Sequence, residues 1–136
     1  MSRHEQREQL FKLLFRVEFN TAEEMPEQVK LFFQDDEIEY TEKVMESISK
    51  KYELIREKLP EIDAQINEKA EGWNTERMGK VELTILRIAV FEMLFDEDIP
   101  DNVAINEAVE IAKQYGQAAS GGFVNAILAK FVKKQD

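Results

Sequence analysis

The chain has 136 residues, the length of one ordinary domain; 43% are apolar, enough for a core, and only 5 Gly and 3 Pro argue against long loops or disorder. It contains no Cys, which excludes disulfides, zinc–thiolate sites and cysteine nucleophiles. A formal charge of −10 argues against general nucleic-acid affinity. No apolar run approaches the roughly 20 residues of a membrane span, and the opening Met1–Arg7 lacks the apolar core of a signal peptide, so a soluble, cytoplasmic protein is expected.

In chain order, the first segment spans about Glu5 to Phe19, with Leu10, Leu14 and Val17 in one row and Phe11 and Phe15 beside it. It is the net-positive part of the molecule: residues 1–16 carry four basic and two acidic side chains, against eight and seventeen over 17–79 and six and nine over 80–136. Such a positive end on an acidic body would bind one anionic ligand at one place. Thr21 with Glu24 forms a capping-box pattern that opens a second helix carrying Val29, Phe32 and Phe33, which the acidic Asp35-Asp36-Glu37 ends. The third segment, roughly Tyr40 to Leu59, has apolar residues at Val44, Ile48, Tyr52, Ile55 and Leu59, spaced 4, 4, 3 and 4. Pro60 is expected to end it and to start a fourth helix, with Ile62 and Ile66, that stops near Gly72. The stretch Trp73–Arg77 reads as a turn with a helix cap.

The fifth segment, about 80–95, is apolar around most of its circumference and should be a central, buried helix. An acidic turn (Asp96, Asp98, Pro100, Asp101) leads to a sixth helix with Ala104, Ala108, Ile111 and Tyr115, for which Gly116 is a natural C-terminal cap. Ser120 is placed to cap a seventh helix whose buried row is Val124, Ile127, Leu128 and Phe131. The expected fold is all-α: a single globular domain of about seven helices in two small subdomains, about 1–72 and 73–136.

Catalytic patterns are missing. The sole His, His4, lies at the terminus, which leaves no nucleophile–His pair, no Glu-x-x-His motif and no His/carboxylate metal triad. The glycines form no phosphate loop. The acidic turns lack the alternating ligands and central Gly of a calcium loop and read as solvated helix ends. No enzyme activity, metal or cofactor is expected.

Three features are candidates for binding. Arg3 and Arg7 are four apart on one helix face and could straddle adjacent phosphates, with His4 beside them; on this feature alone, two arginines read rather as a solubilising helix start. Arg87 stands alone in the apolar fifth helix, either paired with a carboxylate such as Glu107 or offering its guanidinium to RNA. In Ser120-Gly121-Gly122-Phe123-Val124-Asn125 the glycines permit close backbone approach and Phe123 could stack on a base; the alternative is a tight turn over a buried Phe.

These features acquire a common reading from a resemblance. Lys80–Ala89, Ile99-Pro100, Val103–Lys113, Tyr115-Gly116, Ser120 and Phe123–Leu128 resemble the bacterial NusB family in order and spacing over roughly the last 60 residues. The opening helix resembles the family's arginine-rich start, with Phe15 where Tyr is common, while about 20–72 matches only in helix pattern and in Trp73 at its end. The resemblance implies a two-subdomain helical fold and binding of the boxA element of ribosomal RNA leaders together with ribosomal protein NusE. Through that complex it implies indirect association with RNA polymerase and other Nus factors, as a monomer or homodimer. It implies that Arg3, His4, Arg7 and Phe15 belong to the RNA-binding opening, that Arg87, Phe123 and Asn125 continue it, and that Glu82 and Ala119 fall at the partner-binding surface. The sequence departs from the family in its few arginines, in His4 where Arg is common, and in Ala119 and Gly122 where acidic and basic residues are common. The alternative is a protein-interaction module with little RNA binding. Because the opening arginines read as surface residues, Arg7→Glu is expected to weaken RNA binding at little cost in stability.

Overall fold

The computed structural model describes residues 1–35 and 37–133. Among these the fold is all-helical: α1 (Arg3–Phe15) with a 3-10 turn (Arg16–Glu18), α2 (Met25–Phe33), α3 (Glu42–Lys69), α4 (Lys80–Phe95), α5 (Asp101–Tyr115) and α6 (Ser120–Ala129). The chain divides into two compact units, Met1–Arg56 and the part from Glu57 onward.

The count is six α-helices where seven were expected, because the third and fourth predicted segments form one helix. Pro60 lies inside α3. Proline costs its turn the hydrogen bond to the Arg56 carbonyl, but its fixed φ is compatible with a helix. The apolar stripe outweighs that loss. Extended past Leu59 it reaches Ile62 and Ile66 at further spacings of 3 and 4, so the row runs through Pro60 unbroken, and Ile48, Tyr52, Ile55, Ile62 and Ile66 are all buried.

In the first unit, α1 buries Leu10, Phe11, Leu13 and Leu14, and α2 buries Met25 and Phe32. Thr21 and Glu24 form the expected reciprocal pair: the Glu24 N–H donates to Thr21 Oγ1 at 3.3 Å and the Thr21 N–H to Glu24 Oε1 at 2.8 Å. Arg16 ties the 3-10 turn to α2, donating to the Gln28 carbonyl at 3.2 Å and lying over the Phe32 ring at 5.2 Å. Of the acidic run, Asp35 Oδ1 accepts from the Glu37 N–H at 3.0 Å, and Asp36 lies outside the described residues.

In the second unit, α5 packs against both α4 and α6, and α6 also packs against α4. All residues of α4 from Leu83 to Met93 are buried, as its all-round apolar character predicts. Within that run Thr84 answers its own hydroxyl, donating to the Lys80 carbonyl at 2.7 Å. Gly72 turns the chain after α3 with φ +78°, a region open to glycine at little cost. No helix among the described residues is long and apolar enough to cross a membrane.

Candidate nucleic-acid interface

The first group of candidate residues sits on α1. Ser2 and Glu5 form a capping box: Ser2 Oγ accepts from the Glu5 N–H at 3.0 Å, and Glu5 Oε1 accepts from the Ser2 N–H at 3.3 Å. Hydrogen bonds to the carboxylate from the Ser2 hydroxyl, and then from the Ser2 N–H, hold the Glu5 carboxyl below its usual range. The cap fixes the first turn, and with it the direction of Arg3, which is exposed. His4 is engaged with Glu8, Nε2 to Oε1 at 3.0 Å. Arg7, one turn after Arg3, is only 8% exposed. The two arginines share a helix face in sequence, yet they differ in access to solvent, and the surface reading of Arg7 is corrected accordingly. Phe15 lies in a row of rings, 6.0 Å from Phe11 and 5.1 Å from Phe19, with Phe19 exposed.

The second group belongs to the other unit. Arg87 is 9% exposed and held by a fork: Nε donates to Asp63 Oδ1 at 2.9 Å and an Nη to Asp63 Oδ2 at 2.8 Å. Asp63, on α3, was not named by the sequence reasoning, which expected a carboxylate partner and gave Glu107 as an example. Its signal was faint, since Asp63 is one of many acids on the polar side of α3, next to the buried Ile62.

Ser120 does not cap its own helix; α6 has no side-chain cap. Its Oγ accepts from the Gln117 N–H at 2.9 Å and donates to Glu82 Oε1 at 2.6 Å. The hydroxyl thus closes the preceding turn and ties α6 to α4. Gly116 makes that possible, and not through an unusual φ, because its backbone is extended. A Cβ at Gly116 would fall 2.6 Å from the Ser120 Cβ. Glu82, expected at the partner surface, is therefore half-buried with one oxygen engaged, while Ala119 is exposed. Phe123 is half-buried and meets Trp73 edge-to-face, centroids 5.4 Å apart at 77°. Asn125 is exposed and lines an open groove of about 560 Å³ with Asn106, Glu110 and Lys113 of α5 and Gly121 and Gly122 of α6. Among the described residues no group of three or more His, Cys, Asp or Glu is placed to hold a metal.

An exposed arginine, an aromatic ring and an exposed amide are side-chain types by which single-stranded nucleic acid can be held and read. Comparison with known proteins decides the family: the NusB family model matches residues 4–133. The chain belongs to the NusB family. It is 50% identical over 131 residues to the transcription antitermination protein NusB of Agathobacter rectalis, covering 96% of this chain and 99% of that one. It is 48% identical to the protein of the same name from Lachnoclostridium phytofermentans, covering 97% and 99%. Among solved structures, T. maritima NusB superposes with a TM-score of 0.86 at 37% identity, covering 98% of this chain and 92% of that one. A chain from a complex of NusB and NusE with double-stranded RNA superposes at 0.80 and 26% identity, covering 96% and 97%.

Proposed function

We propose that this NusB-family protein is a transcription antitermination factor that binds boxA-type RNA of ribosomal RNA leaders together with ribosomal protein NusE. In that complex it joins elongating RNA polymerase in the cytoplasm. The observation that carries the reading is the superposition, over nearly the whole length of both chains, on a chain from a complex of NusB and NusE with double-stranded RNA. The residues proposed for direct RNA contact are Arg3, His4 and Phe15 from the opening of the chain and Phe123 and Asn125 from α6. Arg7 and Arg87, both buried, are proposed to steady the helices of their own units. Glu82 and Ala119 are proposed for the NusE side.

Electrostatics in this reading are thin. A chain of net charge −10 gains little from non-specific phosphate contact. Binding RNA and NusE together raises the effective concentration of each for the other, so neither contact need be tight alone. A second reading, a protein-interaction module with little RNA affinity, is favoured by the burial of Arg7 and Arg87. Gel shift of a boxA oligomer separates the two. A shift that strengthens on adding NusE is expected. A complex with NusE whose formation is indifferent to RNA would establish the module instead.

A further inference from the structure

Glu82 and Ser120 link the first turn of α4 to the first turn of α6, across 38 residues of chain. Ser120 is 3% exposed, and both capacities of its hydroxyl are used. The Gln117 N–H can only donate and the Glu82 carboxylate can only accept. The hydroxyl therefore accepts from the first at 2.9 Å and donates to the second at 2.6 Å. A hydroxyl donating to a carboxylate at that distance makes one of the stronger hydrogen bonds.

Two glycines leave room for the link. Gly79 (φ −58°, ψ 142°) and Gly116 (φ −97°, ψ −164°) both hold extended backbone open to residues with a side chain, so their use is space and not conformational freedom. A Cβ at Gly79 would overlap Glu82 Oε2, and one at Gly116 would lie 2.6 Å from both Cβ and Oγ of Ser120. Each end of the link is thus cleared by a glycine. What the link holds is the head of α6. The exposed Ala119 immediately precedes Ser120, and the Phe123 N–H donates to the Ala119 carbonyl at 3.1 Å. Asn125 follows on the same helix. The base is firm, since α4 is buried from Leu83 to Met93.

We propose that Glu82 is a positioning residue: through the Ser120 hydroxyl it sets the first turn of α6, and with it Ala119, Phe123 and Asn125, rather than offering its charge to a partner. This rests on the reading of RNA and NusE binding above and specifies how Glu82 serves it.

A positioning residue needs an acceptor at residue 82, whereas a contact with a partner's cation needs the charge. Glu82→Gln keeps the acceptor and removes the charge. The gel shift of a boxA oligomer by the full chain with NusE should be weakened about tenfold by Glu82→Ala and by Ser120→Ala. The double variant should lose no more than either, because the second change removes a bond already gone. Glu82→Gln should stay within about threefold of wild type. The free protein supplies a second readout. Trp73, the sole tryptophan, meets Phe123 edge-to-face, so its emission reports on the head of α6. With neither RNA nor NusE present, emission should shift in both alanine variants and keep its wild-type position in Glu82→Gln. Equal losses in Glu82→Gln and Glu82→Ala, with an unchanged gel shift in Ser120→Ala, would make Glu82 a charge contact and overturn the proposal. So would losses that add in the double variant, or an emission that stays still in both alanine variants. If the wild-type protein forms no complex with boxA and NusE, the binding reading itself falls and the proposal with it. Circular dichroism checks the fold of each variant. Should Glu82→Ala not fold, Gly79→Ala replaces it, since it displaces the carboxylate and leaves both linked residues present; it should weaken the gel shift and move the emission as Ser120→Ala does.

Discussion

The two units differ in what accompanies their buried polar groups. In the second, polar side chains are answered by specific partners: Arg87 by both oxygens of Asp63, Ser120 by Glu82 and the Gln117 amide, Thr84 by the Lys80 carbonyl. In the first, Gln9 is answered in the same way, by the Tyr40 hydroxyl at 2.7 Å, and rings pack alongside: Phe11, Phe15 and Phe19 along α1 and the turn after it, and Phe32, Phe33 and Tyr40 together. One ring there, Tyr52, buries a hydroxyl with no hydrogen-bond partner among the described residues. Rings fill volume without demanding one geometry, whereas a fork or a shared hydroxyl fixes register. The second unit is thereby suited to hold Phe123, Asn125 and Trp73 in set positions.

The largest test of this contrast is Asp63→Ala. It strips the guanidinium of Arg87 of its bidentate partner inside a buried helix. Removing one member of a buried pair typically costs 3–5 kcal/mol; because Asp63 is partly exposed, about 2–3 kcal/mol is expected here, with Asp63→Asn costing less. Urea denaturation measures it. A loss below about 0.5 kcal/mol, the range of ordinary surface changes, would mean that the fork does not organise the unit.

That fork also marks what the sequence could and could not tell. The all-round apolar character of α4 was legible from composition alone, as were the Thr21–Glu24 cap and the position of Phe123 at the head of the last helix. Pro60 misled because a local rule about proline was set above a longer pattern: the apolar row from Val44 to Ile66 passes through it without a change of phase. Ser120 misled in the same way. Its place at a helix start suggests an N-cap, but the glycine four residues earlier lets the hydroxyl reach back and across to Glu82. The partner of Arg87 was out of reach, since a pairing 24 residues apart between two helices depends on how they pack. The exposure of Arg3 against the burial of Arg7 depends on packing in the same way.

Those two arginines give the next effect in size, this time in the first unit. Arg7→Glu places a reversed charge in a buried position and should cost about 2 kcal/mol or more. Arg3→Glu changes an exposed position and should stay within about 0.5 kcal/mol while weakening boxA binding. Thermal melts and gel shifts on both variants check this. Equal stability losses would erase the distinction between a supporting and a contacting arginine.

The smallest effect concerns the tyrosines. Burial raises the hydroxyl pKa of both Tyr40 and Tyr52 above the ordinary value near 10, with Asp35 adding to it for Tyr40 and Glu53 for Tyr52. The sign follows from linkage. The unfolded chain gives up these protons near pH 10 while the folded chain still holds them, so the stability is whole below pH 10 and is lost as pH rises through the folded values. Tyr40 donates to Gln9 Oε1 at 2.7 Å, so removing its hydroxyl sacrifices a bond. Tyr52 has no such bond to lose. Tyr52→Phe should therefore leave stability at pH 7 unchanged or raise it by up to about 1 kcal/mol, and should flatten the alkaline decline. Tyr40→Phe should cost about 1 kcal/mol at pH 7. If Tyr52→Phe instead loses as much as Tyr40→Phe, its hydroxyl is satisfied in solution, and the first unit is as specifically bonded as the second.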